Sequence, residues 1–290
     1  MELRGGVVEL SDGRDLGYAE IGPRDAEAQL VYCHGSPGCR LEIGALLHAG
    51  DIGTNDLRIV AFDRPGFGLS TSQPGRTFMD FPRDLAEADK IGIPSMSLLG
   101  ASAGAPYAMA SAIALSDRIQ RLGIVVGTGP PEATGMEDSA LLRLPPRVAV
   151  IRRLQFAMLA LAFRRGQGDR VLDKSIETLA PVDQQVMERS EVRGWFGEVF
   201  AEALRQGGKE ATAEAAMYWA DWGFDPSDVA VPTTLWYSGR DTNVPASVGD
   251  WLAEQIAESR LEVWPEHGHF TWVFSPELAD VVGELCGVAR

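Results

Sequence analysis

Histidine, cysteine, clustered positive charge and long apolar runs are all scarce in this chain, and each scarcity removes a class of function. The three cysteines (Cys33, Cys39, Cys286) form an odd set without metal-ligand spacing. They are therefore expected to be thiols in a reducing compartment, not a disulfide framework or a zinc site. Cys33 stands inside an apolar run and reads as a small buried hydrophobe. No run of Lys or Arg relieves a net charge of −15 and a pI near 4.7. A field of that sign repels phosphate backbones, which argues against a nucleic-acid partner. The longest apolar stretch, Leu154 to Phe163, carries Arg152, Arg153, Arg164 and Arg165 at its ends. It has about half of the ~20 residues a membrane-spanning helix needs. Residues 1–12 hold acidic side chains and no apolar stretch of signal-peptide length, so no targeting segment and a cytoplasmic location are expected. Neither repeats nor low-complexity tracts occur. The 290 residues, 45% hydrophobic and 23% charged, suffice for a large core.

Short apolar runs alternate with helical patterns along residues 1–127. Strands are expected at Val7 to Leu10, Asp15 to Ile21, Leu30 to Cys33, Arg58 to Phe62, Ser95 to Leu99 and Leu122 to Val126, and helices at Phe78 to Lys90 and Ala103 to Leu115. Several of the strands are apolar throughout, as strands buried on both faces are. Alternation with helices implies right-handed crossovers and a largely parallel sheet, an α/β layout. After Gly127 come turn signals, including Pro145-Pro146, then helical segments at Val148 to Arg165, Arg170 to Leu179, Val182 to Arg189, Val192 to Gln206 and Lys209 to Asp221. The α/β rhythm resumes with strands at Thr233 to Tyr237 and Arg260 to Trp264 and helices at Ala246 to Glu258 and Pro276 to Val288. We therefore expect a core of residues 1–127 and 229–290, interrupted by an all-helical cap at 128–228 that either packs or acts as a lid.

Gly100-Ala101-Ser102-Ala103-Gly104 follows one expected strand and opens one expected helix. A serine at such a turn is held in strained geometry with its hydroxyl above the sheet, and its neighbours must lack bulk. A plain tight turn is the competing reading. A serine hydroxyl needs a base, and only His34, His48, His267 and His269 are on offer.

With these pieces the chain resembles the α/β-hydrolase family, in particular its serine-nucleophile members with a helical cap. The resemblance rests on His34-Gly35-Ser36-Pro37-Gly38, Asp63-Arg64-Pro65-Gly66-Phe67-Gly68-Leu69-Ser70, the Gly100 to Gly104 turn, Gly239-Arg240-Asp241-Thr242-Asn243-Val244-Pro245 and Gly268-His269-Phe270. They occur in family order and span nearly the whole core. The resemblance implies that Ser102 is the nucleophile, Asp241 the acid and His269 the base, with His267 as the competing, more peripheral histidine. It further implies an oxyanion hole built from the backbone N–H groups of Ser36 and Ala103, and a cis Ser36–Pro37 bond. His34 and Asp63 become loop-stabilising residues. The His267-x-His269 pair lacks a carboxylate cluster and is not read as a metal site. Neither a metal nor a cofactor is expected.

Two departures stand out. Ala105-Pro106 follows the serine turn where many relatives carry another glycine. The His-Gly-Ser-Pro-Gly loop is also similar to that of proline iminopeptidases, whose Gly-Gly-x-x-Gly elbow is absent here. A serine at 102 excludes the epoxide- and halide-processing relatives, which use aspartate.

Aromatic and sulfur residues recur at helical spacing in the cap, most of them core. Trp195, Met217 and Trp219, with Phe270 and Trp272, are the candidates for an apolar pocket wall. The basic cluster around Leu154 to Phe163 reads as a solvated helix face. The resulting expectation is a serine hydrolase acting on an ester or lactone of a small hydrophobic molecule, as a monomer or homodimer. A carbon–carbon hydrolase, an aminopeptidase, a cofactor-free perhydrolase or a ligand receptor on the same fold are the alternatives.

Overall fold

In the computed structural model, which describes residues 2–47, 56–138 and 149–287, eight strands form one sheet. They are β1 (Arg4–Glu9), β2 (Asp15–Ile21), β3 (Ala28–Cys33), β4 (Leu57–Phe62), β5 (Met96–Ala101), β6 (Ile119–Val125), β7 (Thr233–Ser238) and β8 (Ser259–Trp264), in the spatial order β1-β2-β4-β3-β5-β6-β7-β8. β2 runs antiparallel to both β1 and β4, and every other neighbouring pair is parallel. His48, the Pro145-Pro146 signal, and Val148 and Val288 at two expected helix ends lie outside the described residues.

Successive side chains on a strand point to opposite faces, so the inner strands serve two cores. Val31, Val60 and Phe62 join one core with α1 (Phe81–Ala86), α2 (Ala105–Ala114) and α8 (Ser247–Gln255); Leu30, Ile59 and Ala61 join the other with α9 (Glu277–Cys286) and the 3-10 turn Arg40–Leu47. The helix expected over Phe78 to Lys90 is broken. A 3-10 turn capped by Thr77 and Asp80 leads into α1, which has Pro82 in its first turn, and a second 3-10 turn ends at Gly92 with φ +79°. Proline has no N–H to continue a helical ladder behind it, which sets the break at that point.

Between β6 and β7 lie α3 (Ala149–Arg164), α4 (Gly168–Ile176), α5 (Pro181–Met187), α6 (Ser190–Ala203) and α7 (Lys209–Met217). Among the described residues no helix is long and apolar enough to cross a membrane. Arg153 and Arg164 on α3 and Arg165 just past it are exposed, but Arg152 is buried and donates to the Ala215 carbonyl, so the basic cluster is not one solvated face.

The strand order reverses between β3 and β5, which are neighbours through parallel pairing. In open α/β sheets the crevice outside the carboxyl ends of strands at such a reversal is where ligands bind. Here those ends lead into His34 and Ser102.

Candidate active site

Ser102 sits where β5 gives way to a 3-10 turn (Ser102–Gly104) and then α2, and its φ is +51°. The flanking glycines are required sterically. A Cβ on Gly104 would fall on the Cys33 carbonyl, and one on Gly100 would lie 2.8 Å from the Ala108 methyl. Val126, at the end of β6, is the other non-glycine residue with positive φ (+43°) among the described residues. A β-branched residue there is a true outlier, and both strained residues line the same cavity.

His269 arrives on the loop after β8. Its Nε2 lies 2.9 Å from Ser102 Oγ and its Nδ1 2.6 Å from Asp241 Oδ2. The pairing fixes the tautomer: Nδ1–H donates to the carboxylate, leaving Nε2 to accept the serine proton. Asp241, in the turn after β7, is itself anchored, its Oδ1 accepting the N–H groups of Asn243 (2.7 Å) and Val244 (2.9 Å). Burial pulls the His269 imidazole down, but the facing Asp241 carboxylate, with Asp183 and Glu42 farther off, outweighs it and holds the group above its ordinary 6.5.

The Ser36 loop borders the same space. Its Ser36–Pro37 bond is cis, Ser36 lines the cavity, and a Cβ on Gly35 would stand 3.8 Å from that of Ser102. Ala103 lies directly behind Ser102 with its side chain fully buried. Each is tied to the helical insertion. Ser36 Oγ donates to Glu214 on α7 (2.6 Å), and the Tyr218 hydroxyl, just past α7, donates to the Ala103 carbonyl (2.7 Å). Glu214 also takes two hydrogen bonds from Arg64 (2.7 and 2.9 Å) and one each from Tyr107 (2.8 Å) and Arg76 (3.2 Å). Burial alone would raise this carboxyl, but Arg64 and Arg76 overcome it and hold Glu214 at about 2.

His34 and Asp63 hold loops. His34 accepts the Arg64 N–H at Nε2 (3.3 Å) and donates from Nδ1 to the Gly35 carbonyl (2.9 Å); burial keeps its imidazole neutral. Asp63 accepts the N–H groups of Arg40 (2.7 Å) and Leu69 (2.8 Å) and pairs with the Arg40 guanidinium. His267 faces Glu277 at 3.5 Å, away from Ser102. Cys33 and Cys39 are buried and Cys286 half-buried, all as free thiols, and burial pushes Cys33 up to about 12. Among the described residues no cluster of three or more His, Cys, Asp or Glu is placed to hold a metal ion.

Above Ser102 lies a cavity of about 220 Å³. Trp195, Phe196, Val199 and Phe200 of α6 form one wall, and Phe270, Trp272 and Val273 another. Trp195, Phe270 and Trp272 are thus where the sequence put them. Met217 and Trp219 are not: both pack, partly buried, against the core shared with α1, α2 and α8, and Trp219 borders a separate surface groove with Trp222 and Trp251. The reason is that α6, not α7, crosses over the serine, while α7 presses Glu210 and Glu214 onto Arg76 and Arg64.

Residues 30–282 match the family model described as the alpha/beta hydrolase family. The chain belongs to the α/β-hydrolase family. Solved hydrolases of the same fold include a thermophilic esterase from Thermogutta terrifontis (21% identity, TM-score 0.71, 97% of each chain covered). An enol-lactonase from Burkholderia xenovorans LB400 (22%, 0.68, 96% of this chain and 97% of that one) and a bromoperoxidase from Bacillus anthracis (20%, 0.66, 97% of each) are similar as well. At such identities the likeness is one of fold. No curated protein matches the sequence.

Two carboxylates beside the hydrolase site escape a reading of the sequence. Asp183, on α5, accepts the N–H groups of His269 (2.9 Å) and Phe270 (2.8 Å). Glu42, in the Arg40–Leu47 turn, lines the cavity and accepts the Tyr32 hydroxyl (3.0 Å) and the Gly35 N–H (2.9 Å), both at Oε2. Burial pushes Glu42 up to about 7 against those donors.

Proposed function

We propose that this α/β hydrolase cleaves a carboxylic ester or lactone of a small, largely apolar substrate through an acyl-enzyme on Ser102. The observation that carries the reading is the relay from Asp241 Oδ2 through His269 to Ser102 Oγ, with links of 2.6 and 2.9 Å. As Ser102 Oγ attacks the carbonyl carbon, His269 Nε2 takes its proton, and Asp241 stabilises the imidazolium. The backbone N–H groups of Ser36 and Ala103 receive the oxyanion. Collapse breaks the bond to the leaving oxygen, which departs as the alcohol with the proton from His269. Water then attacks the acyl carbon while His269 accepts its proton, and the second collapse releases the acid and returns the proton to Ser102. Each group in this scheme belongs to the chain itself. The insertion at 128–228 serves as the cap over a core of 1–127 and 229–290, a role supported by α6 walling the cavity.

A fluorophosphonate probe and p-nitrophenyl acetate test the reading. Wild type is expected to label at Ser102 and to release a burst of nitrophenol, and Ser102→Ala to do neither. Undiminished labelling of Ser102→Ala overturns it. The fold shared with a bromoperoxidase supports one second reading, perhydrolysis, in which hydrogen peroxide replaces water at the acyl-enzyme. Peracid formation from acetate and peroxide, measured against ester turnover, separates the two.

A further inference from the structure

Apart from the acid–base relay and the Ser36 loop, the wall above Ser102 is largely hydrocarbon; its polar side chains are Tyr32, Asn243 and Glu42, and Glu42 alone among these three is a carboxyl. Its two oxygens have different duties. Oε2 is fully engaged by the Tyr32 hydroxyl and the Gly35 N–H, whereas Oε1 accepts nothing from the described residues and is not sealed from the cavity. One point, the place of a Cβ on Gly35, lies 3.6 Å from Glu42 Oε1, 3.9 Å from its Oε2 and 3.8 Å from Ser102 Cβ, so the carboxylate stands across the Gly35 position from the nucleophile. Its side of that centre is also defined. The leaving group must lie by His269 Nε2, which protonates it, and the carbonyl oxygen by Ser36. Glu42 accepts the Gly35 N–H and so stands with the Ser36 loop, not with the His269 loop that serves the leaving group.

Resting on the ester reading above, we propose that Glu42 selects the acyl group. Its Oε1 accepts the hydrogen of a hydroxyl on one of the first two carbons beyond the scissile carbonyl, which makes esters of short hydroxy acids the preferred substrates. A polar acceptor in a largely apolar chamber fixes orientation. A purely hydrocarbon acyl group would strip Oε1 of water and return nothing, and buried acceptors left unpaired are what reject such analogues. Because Glu42 titrates near neutrality, a hydroxyl suits it in both states, donating to the carboxylate and accepting from the acid.

The test compares methyl propionate, methyl lactate and methyl alaninate by pH-stat at pH 8, with fluorophosphonate labelling as the check on a folded, armed serine. Wild type is expected to favour lactate over propionate in kcat/KM by about tenfold to a hundredfold, the worth of a hydrogen bond to a charged group. Glu42→Leu lowers turnover of all three by loosening the Gly35 loop, but its lactate-to-propionate ratio falls to about one. Glu42→Gln keeps the loop bonds through its carbonyl oxygen and gives an intermediate ratio. Propionate and lactate turned over alike by wild type, or a preference that survives in Glu42→Leu, overturns the proposal and leaves the ester reading standing. So does labelling without turnover of any of the three. Alaninate outrunning lactate overturns the hydroxyl assignment in favour of an ammonium. Failure of both labelling and turnover sinks the ester reading and this one with it.

Discussion

In the proposed reaction His269 takes a proton from Ser102 only while it is itself neutral, so its environment sets the acid limit of activity. That environment holds the imidazole above 6.5, and activity should therefore fall on acidification at a higher pH than an ordinary histidine would give. Asp241→Asn removes the carboxylate that outweighs burial. The acid limb of kcat/KM against pH is then expected to move down, while kcat drops by as much as about 10⁴-fold through the wrong tautomer. An unmoved limb would show that another group sets it. At this scale the sequence was partly legible. The glycines around Ser102 could be read because backbone and side-chain neighbours leave no room for a Cβ. Asp183 and Glu42 could not, because a carboxyl in a helix or turn looks the same whether it meets water or a loop far along the chain.

At the scale of elements, α5 and α7 hold the machinery and α6 encloses it. Asp183 grips two adjacent N–H groups with its two oxygens, and its charge helps to keep the His269 imidazole up. Asp183→Asn must turn its amide toward one of those donors, leaving an N–H unpaired at about 1–3 kcal/mol. Asp183 is thus a positioning residue, and the variant should lose roughly tenfold to a hundredfold in kcat. Its acid limb should also move down, a shift that mere loosening of the loop would not produce; stopped-flow turnover across pH checks both. The helices themselves were visible in the apolar periodicity. Their arrangement was not: period alone cannot say which helix crosses Ser102, and the choice of Met217 and Trp219 fails for that reason.

For the whole molecule, the alternation of apolar runs and helical patterns was enough to locate all eight strands: the central ones, buried on both faces, have few polar residues to blur them, while the edge strands β1 and β8, only partly buried, showed by their place in that rhythm. The ion network joining sheet loops to insertion was invisible, because arginines and glutamates more than a hundred residues apart carry no mark of pairing. Its centre is costly to disturb. Glu214→Gln leaves Arg64 buried opposite a neutral amide, with a loss of about 3–5 kcal/mol expected in urea unfolding. The double replacement Arg64→Met with Glu214→Leu should cost less than either single change. The folded Glu214 carboxyl lies at about 2 against an ordinary 4.5. Its contribution is complete above pH 4.5 and is lost as the pH falls toward 2, so Glu214→Gln should flatten the acid side of the stability curve over that window. Three of the tethers from insertion to core, at His269, Ser36 and Ala103, have one more effect. On the proposed mechanism, any movement of the insertion that broke them would withdraw the supports of the base and of the oxyanion loop together, which ties reactivity to the seating of the insertion.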